Sequence, residues 1–134
     1  MSDKIEGACL CGAVRWSFDG LPDSATACNC TACHRYGALW AYDYEDERVR
    51  VTGPTRIYAR GVRNLAFHFC PDCSCVAYWR SLKPDEQGRR RIAVNLRLAT
   101  EPLVVAGIVI DHFDGFDTFD DLPRDGRCVS HMWF

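Results

Sequence analysis

Leu65-Ala66-Phe67-His68-Phe69-Cys70-Pro71-Asp72-Cys73-Ser74-Cys75-Val76-Ala77-Tyr78-Trp79 reads as a strand, a metal-binding turn and a second strand. Leu65, Phe67 and Phe69 alternate with their neighbours up to the first thiol, the period-2 signature of a half-buried strand. Cys70 and Cys73 are then separated by Pro71, which presets φ, and by Asp72, which suits a turn. A C-x-x-C turn of this kind brings its two sulfurs together, as in a zinc-ribbon knuckle, and a second strand leaves at Val76.

Two sulfurs do not close a tetrahedral site, so the remaining thiols matter. The chain of 134 residues has nine cysteines. Cys9 and Cys11 are two apart, and in an extended segment residues i and i+2 face one side. Cys28, Cys30 and Cys33 form a C-x-C-x-x-C run. Seven clustered thiols divide into four and three: four close a structural site, and three leave one position open, as a catalytic zinc requires. Pairing Cys9 and Cys11 with Cys70 and Cys73 is the economical division. Clusters one and two could instead supply the four-thiol site, leaving the third with Cys75. A fourth ligand for the middle cluster could come from His34, His68, Cys75, His112, Cys128 or His131, and spacing selects none of them.

The rest of the chain has to build a fold around these clusters. Hydrophobic residues make up 48% and charged residues 25%, which predicts a folded chain of a single domain, residues 1–134. The formal charge of −2 gives no electrostatic case for nucleic acid or an anionic membrane. Arg89-Arg90-Arg91 reads as an isolated solvated turn. There is no apolar N-terminal segment and no run long enough to span a membrane, so a cytoplasmic protein is expected, with its cysteines reduced.

Strand-like alternation recurs at Val14, Trp16 and Phe18, over residues 39–44 with Trp40, Tyr42 and Tyr44 on one face, and at 49–51, 56–58, 76–79 and 92–94. Residues 104–110 also read as a strand. One short helix is expected from Thr31 to Tyr36, stopped by Gly37. The tail after Asp111 reads as irregular, packed back by Phe113, Phe116 and Phe119. The fold class expected is therefore mainly β, with metal stitching a modest core.

Taken together and in order, Gly7-Ala8-Cys9-Leu10-Cys11-Gly12-Ala13-Val14, Cys28-Asn29-Cys30-Thr31-Ala32-Cys33 and Phe69-Cys70-Pro71-Asp72-Cys73 resemble the glutathione-dependent formaldehyde-activating enzyme family, also called the GFA or CENP-V domain family. The resemblance runs from residue 7 to about 122. It implies an Mss4-like, zinc-stabilised β fold with two zinc ions per chain. Carried over by residue, Cys9, Cys11, Cys70 and Cys73 hold the structural zinc, and Cys28, Cys30 and Cys33 the catalytic one. The implied reaction is that of a carbon–sulfur lyase, S-(hydroxymethyl)glutathione synthase, in which a small thiol such as glutathione adds to formaldehyde or a similar small electrophile.

The chain departs from the family pattern at Asn29, where His is usual, at His34, at Ser74, where Gly is usual, and at the extra thiol Cys75. Asn29, Arg35 and Trp40 are the substrate-contact candidates. Arg60, Arg63 and Arg97 are further cations for the carboxylates of glutathione. The competing function class is a non-catalytic zinc module that binds a protein partner.

Overall fold

The computed structural model describes residues 4–59 and 64–133. In chain order its elements are β1 (Lys4–Ala8), β2 (Arg15–Asp19), β3 (Ala25–Cys28), α1 (Thr31–Tyr36), β4 (Trp40–Tyr44), β5 (Val49–Thr52), β6 (Arg56–Tyr58), β7 (Leu65–Phe69), β8 (Val76–Ser81), β9 (Arg91–Asn95), α2 (Pro102–Val105), β10 (Ile110–Phe113) and β11 (Asp121–Leu122). The protein is mainly β, as the alternation predicts.

The strands form two sheets. The smaller is antiparallel, in the order β1-β2-β5. The larger runs β11-β10-β3-β4-β9-β8-β7-β6, antiparallel except where β10 lies parallel to β3. Gly53, at φ 100, lies where the chain leaves the small sheet at β5 and enters the large one at β6.

The main core joins the two sheets. Ile5, Val14, Trp16 and Phe18 share it with Ala41, Tyr78, Ile92 and Val94. Trp16 fits because its cross-strand partner is Gly7: a Cβ at that position would collide with the indole ring. Full burial of a large apolar side chain stabilises by roughly 1.5–3 kcal/mol, so the core has to be shared among many such residues across both sheets. The alternate residues of the same strands, Trp40 and Ala93, belong to a second cluster with Phe67, Ala32 and Cys33. Alternation along β4 and β9 thus puts α1 on the face of the large sheet opposite the small sheet.

Two expectations are corrected. Residues 104–110 are not one strand. Pro102 opens the short helix α2, and the strand begins only at Ile110, where pairing with β3 starts. An aliphatic run lacks the polar interruptions that separate helical from strand periodicity, so pairing partners decide it. The tail is more ordered than expected, with β11 and a 3-10 turn at Val129–Met132. Phe116 and Phe119 do not pack it back, being 71% and 69% exposed; Val129 is the fully buried residue there. Strands β1 and β3 were not anticipated, because β1 alternates around only one large apolar residue, Ile5, and β3 is a short run of small residues.

The helix from Thr31 to Tyr36 has the expected ends. Its C-cap, Gly37, is left-handed at φ 64 and donates its N–H to the Cys33 carbonyl at 2.9 Å. Its N-cap is Cys30, whose sulfur accepts the Cys33 N–H at 3.2 Å. Capping therefore fixes the direction of the Cys30 thiol. Among the described residues no helix is long and apolar enough to cross a membrane.

Candidate metal centres

The structure gathers the seven clustered sulfurs into two groups. In each group the sulfurs all lie within 4.8 Å of one another. Cys9, Cys11, Cys70 and Cys73 form the first. Cys9 and Cys11 lie in the connection between β1 and β2, and Cys70 and Cys73 in that between β7 and β8. One pair therefore comes from each sheet. Sulfur–sulfur separations are 3.7 Å for Cys9–Cys11 and 3.6 Å for Cys11–Cys70. A tetrahedral ion with Zn–S bonds of about 2.3 Å requires sulfurs about 3.8 Å apart, so this donor set fits zinc.

Backbone N–H groups point at the same sulfurs. Val14 donates to Cys9 Sγ at 3.3 Å, and Asp72 and Cys73 to Cys70 Sγ at 3.4 and 3.5 Å. Donors of this kind favour thiolates over thiols. Cys73 is brought down to about 6, first by the backbone N–H of Cys75.

Ser74 completes the turn at φ 68, the left-handed region that disfavours any side chain. This accounts physically for the glycine usual at that position. Ser74→Gly is expected to raise stability by about 0.5–1 kcal/mol, the relieved strain exceeding the entropy cost of glycine; the shift in urea midpoint checks it.

The second group is Cys28, Cys30 and Cys33. Cys28 ends β3, Cys30 caps α1 and Cys33 lies in the first turn of that helix. Each sulfur receives at least one N–H. Cys30 N donates to Cys28 Sγ at 3.5 Å, Cys33 N to Cys30 Sγ at 3.2 Å, and the Trp40 indole Nε1 to Cys33 Sγ at 3.3 Å. The Gly115 backbone N–H also serves Cys28.

Cys28 is held at about 6, first by the Cys33 thiol, then by the backbone of Cys30 and Gly115, against the opposing effect of burial. Cys33 is pushed far up, first by the Cys28 sulfur and then by burial. Thiols this close do not all ionise by themselves, whereas a bound dication makes three thiolates tolerable. The donor set therefore also fits zinc. Among the described residues no fourth His, Cys, Asp or Glu joins it.

The loop after β10 closes over this cluster from one side. Parallel pairing sets Phe113 beside Cys28, and a Cβ on Gly115 would stand 2.6 Å from the Cys28 sulfur. Asn29 holds the loop in place: its N–H donates to the Phe113 carbonyl at 3.2 Å, and its Oδ1 accepts the Phe116 N–H at 2.9 Å. Asp114 turns the loop by accepting from the N–H groups of Phe116, Asp117 and Thr118.

The other candidates are distributed as follows. Trp40 is 1% exposed and acts on the cluster through its N–H rather than as an open wall. Arg35 donates to the Thr31 carbonyl at 3.1 Å and lines a separate cavity with Tyr36 and Tyr58. Arg60 and Arg63 lie outside the described residues. His68 is buried, with Nδ1 2.8 Å from Thr55 Oγ1 and its ring stacked on Tyr78. Cys128 contacts Ser130 and His131 near the C-terminus. Cys75 sits beside the four-sulfur group, packed against the main core.

A cleft of about 230 Å³ opens at the three-sulfur group. Cys28, Cys33, His34, Arg97, His112 and Met132 contribute to its walls. Arg97, His112 and Met132 come from far along the chain, and of these the sequence offers only Arg97 as a substrate contact.

Trp40→Phe keeps an aromatic ring in the buried slot and removes the donor to Cys33. The expected result is a 10- to 100-fold weaker second metal site with the first unchanged, read by chelator competition on the zinc protein.

Comparison with known proteins follows the same line. The crystal structure of a Rhodobacter sphaeroides protein aligns with a TM-score of 0.59 at 23% identity, covering 78% of this chain and 98% of that one. At that identity the likeness speaks for the fold. No curated protein matches the chain. The family model described as glutathione-dependent formaldehyde-activating enzyme matches residues 4–102, well over half of the sequence and including all seven clustered cysteines. The chain belongs to the glutathione-dependent formaldehyde-activating enzyme family.

Proposed function

We propose that this protein is a zinc-dependent carbon–sulfur lyase that joins a small thiol, such as glutathione, to formaldehyde or a similar small electrophile. Cys9, Cys11, Cys70 and Cys73 are the structural ligands in this reading, and Cys28, Cys30 and Cys33 the catalytic ones. The observation that carries it is the contrast between the two groups. The first offers four sulfurs and is complete. The second offers three, has no fourth ligand among the described residues, and opens on a cleft.

A zinc held by three cysteinates supplies, when bound, a fourth position where an incoming thiol loses its proton and is oriented. The protein's own groups set the conditions. N–H donors from Cys30, Cys33, Gly115 and Trp40 stabilise the three sulfurs as thiolates. Asn29 fixes the loop that covers Cys28. The substrate sulfur then adds to the carbonyl carbon. A C–S bond forms as the carbonyl π pair moves to oxygen, which takes up a proton. Placing a thiolate against the electrophile is the main contribution asked of the site. A reduced cytoplasmic thiol pool is the setting this chemistry requires.

A three-sulfur group without a fourth ligand among the described residues argues against the closed zinc module that acts only through a protein partner. The test is exchange between labelled formaldehyde and its glutathione adduct, followed by NMR with zinc-loaded protein. Exchange faster than the uncatalysed rate is expected. No acceleration with glutathione or with other small thiols would sink the reading.

A further inference from the structure

We propose that Arg97 anchors a carboxylate of the thiol substrate, so that the site selects acidic thiols. This rests on the thiol reading above and adds to it a class of substrate and the residue that recognises it.

The cleft beside Cys28 and Cys33 contains no Asp or Glu in its walls. Its polar side chains are those of Asn29, His34, Arg97 and His112. Asn29 is engaged with Phe116. His112 Nε2 lies 3.2 Å from the Asp125 carboxylate, outside hydrogen-bonding geometry, so an acidic group already stands beside it. The Arg97 guanidinium has no acceptor among the described residues. Among the described residues Arg48, Arg50, Arg80, Arg89, Arg124 and Arg127 have carboxylate partners; Arg15, Arg35, Arg56, Arg90 and Arg91 share with Arg97 the lack of one, but only Arg97 lines this cleft. Partial burial alone lowers the Arg97 pKa, the mark of a cation shielded from water without a compensating anion.

The base of Arg97 is held firmly. It lies in the 3-10 turn Leu96–Leu98, capped by Asn95, whose Oδ1 accepts the Arg97 N–H at 3.1 Å and the Leu39 N–H at 3.3 Å. Asn95 Nδ2 donates to the Val76 carbonyl at 2.9 Å, and Asn95 is only 5% exposed. A buried and fully bonded amide thus fixes the stem of a residue that lines the cleft and whose donor fork has no partner among the described residues. That fork matches a carboxylate in two-pronged geometry.

The electrostatics require such a partner. Three cysteinates on one dication leave a net charge of −1, which repels any carboxylate carried in beside the substrate sulfur. A cation on the cleft wall offsets that repulsion and sets the orientation. Arg35 does not serve here, since it lines a different cavity.

The experiment uses zinc-loaded protein and measures thiol affinity by calorimetry, with kcat/KM alongside. The probes are mercaptoacetate, mercaptosuccinate and glutathione against uncharged mercaptoethanol. Wild-type protein is expected to favour at least one acidic thiol by roughly 10- to 100-fold. Arg97→Gln should erase that preference and leave mercaptoethanol binding, zinc content and melting temperature unchanged. Arg97→Lys should recover part of it. A preference that survives in Arg97→Gln, or wild-type binding that is equal for acidic and neutral thiols, overturns the assignment and leaves the thiol reading standing. Absence of binding by every thiol overturns both.

Discussion

Cys73→Ser is expected to leave a chain that no longer folds cooperatively at 25 °C. The four sulfurs come in pairs from connections in two different sheets, so a metal there staples the small sheet to the large one. Sites of this kind are not preformed in the unfolded chain, and their binding free energy is folding free energy. It amounts to about 10–16 kcal/mol for structural zinc in zinc-finger peptides near neutral pH. A domain of this size has a net stability of only about 5–15 kcal/mol. Loss of one of four ligands therefore removes a contribution as large as the whole margin. Circular dichroism should show no sigmoidal melt, and zinc content should fall towards zero, because the second site needs the folded β3–α1 corner. A variant that melts within a few degrees of wild type would show that this group does not hold the fold together.

The opposite result is expected for Cys30→Ser, which should abolish activity and spare the fold. Cys30 has two jobs: its sulfur belongs to the three-thiol group, and the same sulfur caps α1 by accepting the Cys33 N–H. Serine is among the best N-cap residues, so the substitution keeps the cap while discarding a soft ligand that zinc prefers. Zinc should fall from two per chain to one, and thiol-dependent turnover should drop by about 10³-fold or more. The melting temperature should move by only a few degrees. Cys30→Ala removes the cap as well, and should cost about 1 kcal/mol beyond the serine variant. Equal destabilisation by Cys30→Ser and Cys73→Ser would contradict the division of labour between the two groups.

These paired outcomes rest on information of unequal visibility. The hairpin around Cys70 and Cys73 was readable because strand alternation and a Pro-Asp turn are local signals. The helix behind Cys30 was readable from the stop at Gly37. The aliphatic run before Ile110 reads as one strand yet holds α2, because local periodicity carries no information about pairing partners. The loop 114–120 was unreadable as part of the site. Its place over Cys28 follows from parallel pairing of β10 with β3, strands separated by more than eighty residues.

Trp40 illustrates the same limit at one residue. Its position on an aromatic stripe was plain, yet an aromatic stripe does not say whether its N–H meets solvent, substrate or a sulfur. Burial to 1% exposure and a 3.3 Å contact with Cys33 decide that. Arg97 is similar. As a cation it is one of several, and it stands out because it lines the cleft at Cys28 and Cys33 and has no carboxylate partner among the described residues.

Spacing and composition were enough to indicate a β-rich chain with seven thiols grouped as metal ligands would be, since turn chemistry and side-chain alternation act over a few residues. The joining of the two sheets by one group of sulfurs, the covering of the other by a distant loop, and the place of Arg97 on the cleft wall came from packing. Contacts between residues far apart in the chain form only when burial of the shared core repays the entropy of bringing them together, and no short stretch of sequence records that balance.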